Sequence, residues 1–223
     1  MKKVLLLLVA LLPASAFPRI VDFHSDIRIA RDGELSVTER ITLEVDDRQP
    51  HSVLRRELRA PFVVSDVVRN GYPEPWEIEV QGDGPSLRIG KPGVALPHGR
   101  HTYQIAYRSR QQVRFLRDYD ELQWRLGPGD RITAEIVLPS SVPARQIRAE
   151  AGKDAQSFVR DGRAAFRAMR AIAPHEEATV AVRFPKNVIS APGVDWRGLL
   201  FVLILLALSA AVLYRLRILS ART

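Results

Sequence analysis

Between residues 17 and 185 apolar and polar residues alternate with a period of two over many short stretches. Leu35, Val37, Ile41, Leu43 and Val45 fall on one side of such a pattern and Ser36, Thr38, Arg40, Thr42 and Glu44 on the other, which predicts a strand with one buried face. Ile27 and Ile29 precede it, and Arg31-Asp32-Gly33 supplies turn chemistry between the two segments, so a hairpin is expected. The alternation recurs at Trp76, Ile78 and Val80; at Leu87 and Ile89; at Tyr103, Ile105 and Tyr107; at Leu122, Trp124 and Leu126; at Ile132, Ala134, Ile136 and Leu138; and at Val180, Val182 and Phe184. Gly71-Tyr72-Pro73, Gly82-Asp83-Gly84, Pro97-His98-Gly99 and Gly127-Pro128-Gly129 punctuate it. Short strands bounded by Gly and Pro predict an all-β fold, an antiparallel β-sandwich. One segment, Gln156 to Ala173, fits both periods: Val159, Phe166, Met169 and Ile172 lie on a helical face, whereas Phe166, Ala168 and Ile172 also fit a strand. The turn at Arg160-Asp161-Gly162 favours two strands there.

The two ends of the chain follow a different pattern. Gly198 to Tyr214 is a run of 17 uncharged, mostly apolar residues closed by Arg215, Arg217 and Arg222. As a helix it rises about 26 Å, close to the roughly 30 Å hydrocarbon layer. Trp196 and Tyr214 have the amphipathic rings favoured at the two headgroup levels. This predicts a single transmembrane helix over 197–214, after a linker at 186–196. The excess of Arg beyond it places the tail, 215–223, in the cytoplasm and the β domain, 17–185, outside. The start of the chain agrees: Lys2 and Lys3, an apolar run from Val4 to Leu12, then Pro13 and Ala14-Ser15-Ala16 read as a signal peptide over 1–16. An uncleaved signal anchor would add a second span and leave the middle domain on the same side. The expected location is a bacterial cytoplasmic membrane.

Charge changes meaning once these segments are set aside. The formal net charge is +8, from 33 basic and 25 acidic residues. Lys2, Lys3, Arg197, Arg215, Arg217 and Arg222 serve topology, and without those six the balance is 27 basic to 25 acidic. That balance, spread through alternating strands, argues against a nucleic-acid partner. The chain has no Cys, so disulfides and thiolate metal sites are excluded and the fold rests on core burial.

Several pieces then occur in order: Phe23-x-x-x-Ile27, Asp32-Gly33, Val37-Thr38-Glu39-Arg40-Ile41, the pair Arg55-Arg56, Arg88-Ile89-Gly90, Gly99-x-His101-Thr102-Tyr103-x-Ile105-x-Tyr107, Asp120-Glu121-Leu122-x-Trp124, and Val180-x-Val182-x-Phe184-Pro185-Lys186. Together they resemble the YciQ-like predicted bacterial membrane proteins. The resemblance implies an extracytoplasmic β domain and membrane segments, and no activity. Many members of that family continue into further spans and a Gly-rich tail, whereas this sequence stops soon after one predicted span.

Candidate chemistry is sparse. His98 and His101 are three apart on a turn leading into a strand, a spacing that does not aim both rings at one ion. Asp118, Asp120 and Glu121 form an acidic cluster before Trp124. Such a cluster suits Ca²⁺ or paired carboxylates for glycoside cleavage, or else a strand entrance with one acid paired to Arg55 or Arg56. Ser140 and Ser141 lack a nucleophile elbow, and no nucleotide-binding pattern occurs. Tyr103, Tyr107, Trp76 and Trp124 read as core packing before they read as a ligand platform. No cofactor or metal is expected. The leading expectation is a membrane-anchored binding or assembly protein of the envelope, not an enzyme, with a protein partner and with Arg55, Arg56, Asp120, Glu121 and Trp124 as its interaction or scaffold residues. The alternatives are an envelope hydrolase using the Asp120 and Glu121 region, or a sensor ectodomain.

Overall fold

The computed structural model describes residues 19–46, 52–59, 61–81, 84–139, 142–152, 154–160, 162–174, 176 and 178–190. The predicted signal peptide, transmembrane helix and tail lie outside these residues, as does the linker from residue 191. The described residues belong to one compact unit ending at Ser190. Among them no helix is long and apolar enough to cross a membrane.

The unit is nearly all β. Its strands are β1 (Arg19–Ile29), β2 (Leu35–Val45), β3 (Leu54–Glu57), β4 (Phe62–Arg69), β5 (Tyr72–Pro73), β6 (Trp76–Gln81), β7 (Gly84–Ile89), β8 (Gly99–Ser109), β9 (Val113–Phe115), β10 (Asp120–Leu126), β11 (Arg131–Val137), β12 (Arg148–Ala151), β13 (Ala155–Arg160), β14 (Arg163–Ala168) and β15 (Ala178–Phe184). They form an eight-stranded sheet in the order β13-β14-β11-β1-β2-β8-β4-β5, a four-stranded sheet β12-β15-β10-β9 and a three-stranded sheet β3-β7-β6.

The period-two pattern becomes buried faces. Phe23, Ile27 and Ile29 of β1, the odd-numbered apolar positions of β2, and Tyr103, Ile105 and Tyr107 of β8 line one side of the large sheet. Leu87 and Ile89 of β7, Leu122, Trp124 and Leu126 of β10, and Val180, Val182 and Phe184 of β15 join them in one hydrophobic core. Each fully buried Val, Leu, Ile or Phe contributes about 1.5–3 kcal/mol. The tightest fit is at Gly127, where a Cβ would come within 2.5 Å of the Phe23 ring. One edge of the ring, Cδ2, Cε2 and Cζ, therefore occupies the space a side chain at 127 would need.

The hairpins follow turn chemistry. Gly33 has φ 79° between β1 and β2. Asn70 and Gly71, at φ 53° and 85°, supply the two left-handed residues of the tight turn joining β4 to β5. The ambiguous segment resolves into β13 and β14, with Gly162 at φ 75° in the turn.

The pairing departs from an antiparallel arrangement in one place. β1 pairs with β11 in parallel, with His24 opposite Thr133. Parallel neighbours need a long crossover, and the roughly one hundred residues between these strands supply it. β3, β9 and β12 are too short to have stood out and lie at sheet margins, while the alternation of β4 is broken by the doublets Val63-Val64 and Val67-Val68 and by a register shift between Val64 and Asp66.

Candidate functional site

Alternation along β2 points every odd-numbered residue inward, which sends Glu39 into the core between Val37 and Ile41 at 0% exposure. A buried carboxylate needs a cation and hydrogen bonds to offset its desolvation. Arg56, on β3 in another sheet, reaches it with Nε donating to Oε2 at 2.6 Å and Nη2 to Oε1 at 2.8 Å. The Tyr107 hydroxyl donates to Oε1 at 3.0 Å. The Arg56 guanidinium also stands 5.3 Å over the Phe23 ring. Burial lowers the pKa of Arg56, but the charge and hydrogen bonds of Glu39 more than offset it and the net shift is upward. Burial, with the Glu39 charge added, pushes the Tyr107 hydroxyl well above its usual value. This bidentate pair clamps the three-stranded sheet to the eight-stranded one.

Arg55, the neighbour of Arg56, points the other way on β3, is half exposed and pairs with Glu79 on β6. Neither Arg pairs with the acidic cluster, contrary to expectation. Arg56 meets β2 of the large sheet and Arg55 reaches past β7, the neighbour of β3, to β6, whereas β10 belongs to a different sheet.

The acids of β10 find other cations. Asp120 is buried, and Lys186 donates Nζ to its Oδ1 at 2.5 Å and to the Leu116 carbonyl at 3.0 Å. Glu121 stands in register between Arg114 of β9 and Arg183 of β15. Arg183 Nε donates to it at 2.7 Å, Arg114 at 3.2 Å and the Gln123 amide at 2.9 Å. Trp124 is buried and donates from its indole to Ser25 Oγ at 3.2 Å, another link between sheets. Successive strand residues face opposite sides, so Asp120 and Glu121 do not converge on one substrate. Neither lines either of two surface grooves among the described residues, one bordered by Glu34, Phe62, Val63, Arg108 and Arg110 and the other by Glu135, Phe158 and Arg163. Arg56, Asp120, Glu121 and Trp124 thus sit inside the fold and only Arg55 reaches its surface. His101 is buried with Nε2 against the Pro97 carbonyl at 2.7 Å, while His98 is exposed. Among the described residues no group of three His, Asp or Glu side chains is arranged to hold a metal ion.

The exposed apolar surface lies elsewhere. Tyr103, Tyr107 and Trp124 pack inside, but Trp76, Ile78 and Val80 are 39%, 48% and 79% exposed. They share one face of β6, the last strand of its sheet. Across the ladder Trp76 opposes Ile89 and Ile78 opposes Leu87, both fully buried. The strip therefore extends the apolar face of the core beyond the strands that cover it. The opposite face of β6 is polar: Glu77 and Glu79 both pair with Arg88.

The model of the family described as "Predicted membrane protein (DUF2207) N-terminal domain" matches residues 19–184, from the first residue of β1 to the last of β15. The chain belongs to the DUF2207 family. The matched DUF2207 domain takes in all three sheets and ends two residues before Lys186. No curated protein matches the sequence significantly. Among solved structures the domain is similar to native yeast LTA4 hydrolase, with TM-score 0.51 and 12% identity over 74% of this chain. The same hydrolase in complex with bestatin gives TM-score 0.53 and 12% identity over 73% of this chain. An M1 zinc metallopeptidase from Deinococcus radiodurans gives TM-score 0.46 and 13% identity over 73% of this chain and 42% of its own. The chain spans only 28% to 29% of the length of the yeast enzymes. At 12% identity the likeness to the yeast enzyme is one of fold.

Proposed function

We propose that this DUF2207 domain is a non-enzymatic docking module, a β-sandwich displayed outside a bacterial cytoplasmic membrane by the signal peptide and the single span expected from the sequence. The observation that carries the reading is the apolar strip on β6. A terminal strand with three exposed apolar side chains on one face is a template for pairing, and folded proteins ordinarily blunt such edges with charge or Pro. Here the only charges are on the opposite face. An extended segment of a protein partner adds to β6 by main-chain hydrogen bonds, its apolar residues meeting Trp76, Ile78 and Val80. Glu77, whose side chain is 58% exposed, favours a basic residue on the other side of that segment. Membership of a family of predicted membrane proteins supports the anchoring half of the reading. The hydrolase alternative lacks such support, since Asp120 and Glu121 are each held by a cation inside the fold.

The test is site-specific photo-crosslinking in intact cells, with a photoreactive residue at Ile78 and a control at Arg40 on the exposed face of β2. The expected result is a discrete protein adduct from position 78, lost on substituting Val80→Lys, and none from position 40. Identical adducts from both positions, or lipid alone from position 78, would refute docking at β6.

A further inference from the structure

The chain leaves the described unit at a defined place. Ile189 is buried against Gly33, and the Ser190 amide donates to the Arg31 carbonyl at 2.7 Å, so the exit lies beside the turn between β1 and β2. Lys186, bound to Asp120 and Leu116, fixes the segment just before it. In sequence seven residues, Ala191 to Arg197, separate this point from the apolar run that begins at Gly198. Fully extended, they span about 25 Å.

Residues directly opposed in a sheet share a face, so the registers trace rows across it. One row at the exit end runs Arg160, Arg163, Val137, Arg28, Ser36, Arg108, Val63, across seven strands of the large sheet. Four of those seven residues are Arg. The next row toward the middle of the sheet runs Ala165, Glu135, Asp26, Thr38, Ala106, Asp66 and carries the acids. Glu135 pairs with Arg163 at 2.6 Å and Asp26 with Arg28 at 3.5 Å, both from behind the arginine row. Toward the rim, exposed Arg31, Arg59 and Arg110 add to it, against Asp32 and Glu34. Arg108 and Arg110, 60% and 66% exposed, border a groove of about 280 Å³ floored by Pro61, Phe62 and Val63. The sheet end nearest the exit thus carries more Arg than acid around an apolar notch: the acids of the inner row are set back from the edge, while Glu34, at the rim, pairs with Arg110 at 2.8 Å and Arg108 at 3.7 Å, and Asp32 stands 4.0 Å from Arg110.

We propose that this rim rests on the anionic phospholipid surface of the bilayer that holds the chain, with Arg28, Arg108 and Arg110 on lipid phosphates and Val63 at the headgroup boundary. The inference depends on the membrane anchoring proposed above and adds an orientation to it: the short tether keeps the rim within reach of phosphates and the arginine row turns it toward them. Attraction of this kind needs anionic lipid and is screened by salt.

The experiment uses the full chain, whose lack of Cys allows clean single labelling. Val63→Cys and Tyr72→Cys place a fluorophore at opposite ends of the β4–β5 hairpin, in vesicles of phosphatidylcholine with or without phosphatidylglycerol and a headgroup quencher. Expected is quenching at position 63 at least about twofold stronger than at position 72 in the anionic vesicles, vanishing near 1 M salt, where the Debye length is about 3 Å. The paired substitution Arg28→Gln and Arg108→Gln should abolish the difference in the same vesicles. Equal quenching at both positions in a chain that resists carbonate extraction overturns the rim contact and leaves the anchoring intact. A preference for position 63 that persists without anionic lipid also overturns it, and a chain that carbonate strips from the vesicles overturns both readings.

Discussion

The clamp between Arg56 and Glu39 makes a quantitative prediction. Substituting Arg56→Met leaves the Glu39 carboxylate at 0% exposure with one remaining donor, the Tyr107 hydroxyl. Removing one partner of a buried ion pair costs about 3–5 kcal/mol, because the surviving charge keeps its desolvation and loses its compensation. In a unit of this size each kcal/mol moves Tm by about 2–4 °C, so a fall on the order of 10 °C is expected. Glu39→Leu should cost less, since the Arg56 side chain is 15% exposed and can turn toward water, but it strands the Tyr107 hydroxyl. Combining Arg56→Met, Glu39→Leu and Tyr107→Phe removes both charges and the orphaned hydroxyl. That triple variant should regain most of the loss, to within about 1–2 kcal/mol of the parent. Urea unfolding at neutral pH followed by circular dichroism measures all of these. A cost below about 1 kcal/mol for Arg56→Met, or single effects that simply add in the combined variants, would refute the clamp.

Two further outcomes follow from other parts of the core. Gly127→Ala forces a methyl into the Phe23 ring and should cost about 1–3 kcal/mol; adding Phe23→Leu should relieve part of it, which thermal melts of the single and double variants will show. Burial pushes the Tyr103 hydroxyl up to about 12, so the folded state holds its proton to higher pH than the unfolded chain does. Its contribution is full below about pH 10 and is lost as pH rises toward 12. Tyr103→Phe should flatten that alkaline decline in urea titrations. It should not weaken the protein at pH 7, because the Tyr103 hydroxyl has no hydrogen-bond partner among the described residues.

How much of this was legible in the sequence depended on unbroken alternation. The strands β1, β2, β6, β7, β8, β10, β11 and β15 announced themselves by it, and the turn at Gly162 separated β13 from β14. Glu39 was readable too: it occupies an inward position between Val37 and Ile41, and a carboxylate there demands a buried cation. What the sequence withheld was the partner, because β3 is four residues long and its place opposite β2 is a tertiary fact. The same limit misdirected Arg55 and Arg56 toward Asp120 and Glu121. For Trp76, Ile78 and Val80, alternation correctly indicated an apolar face but could not say that the strand overhangs its cover. The arginines looked scattered along the chain; register, which composition does not contain, gathers four of them into a row.

The parallel pairing of β1 sets an order of events during synthesis. His24 meets Arg40 across one ladder and Thr133 across the other, 109 residues further on. The leading strand can zip to its hairpin mate early, yet its second flank stays bare until more than half of the polypeptide has been made. Closing so long a loop is entropically costly and slows folding relative to local contacts. A nascent chain interrupted before Arg131 would present that naked flank to any strand within reach, so premature termination in this interval leaves an aggregation-prone edge.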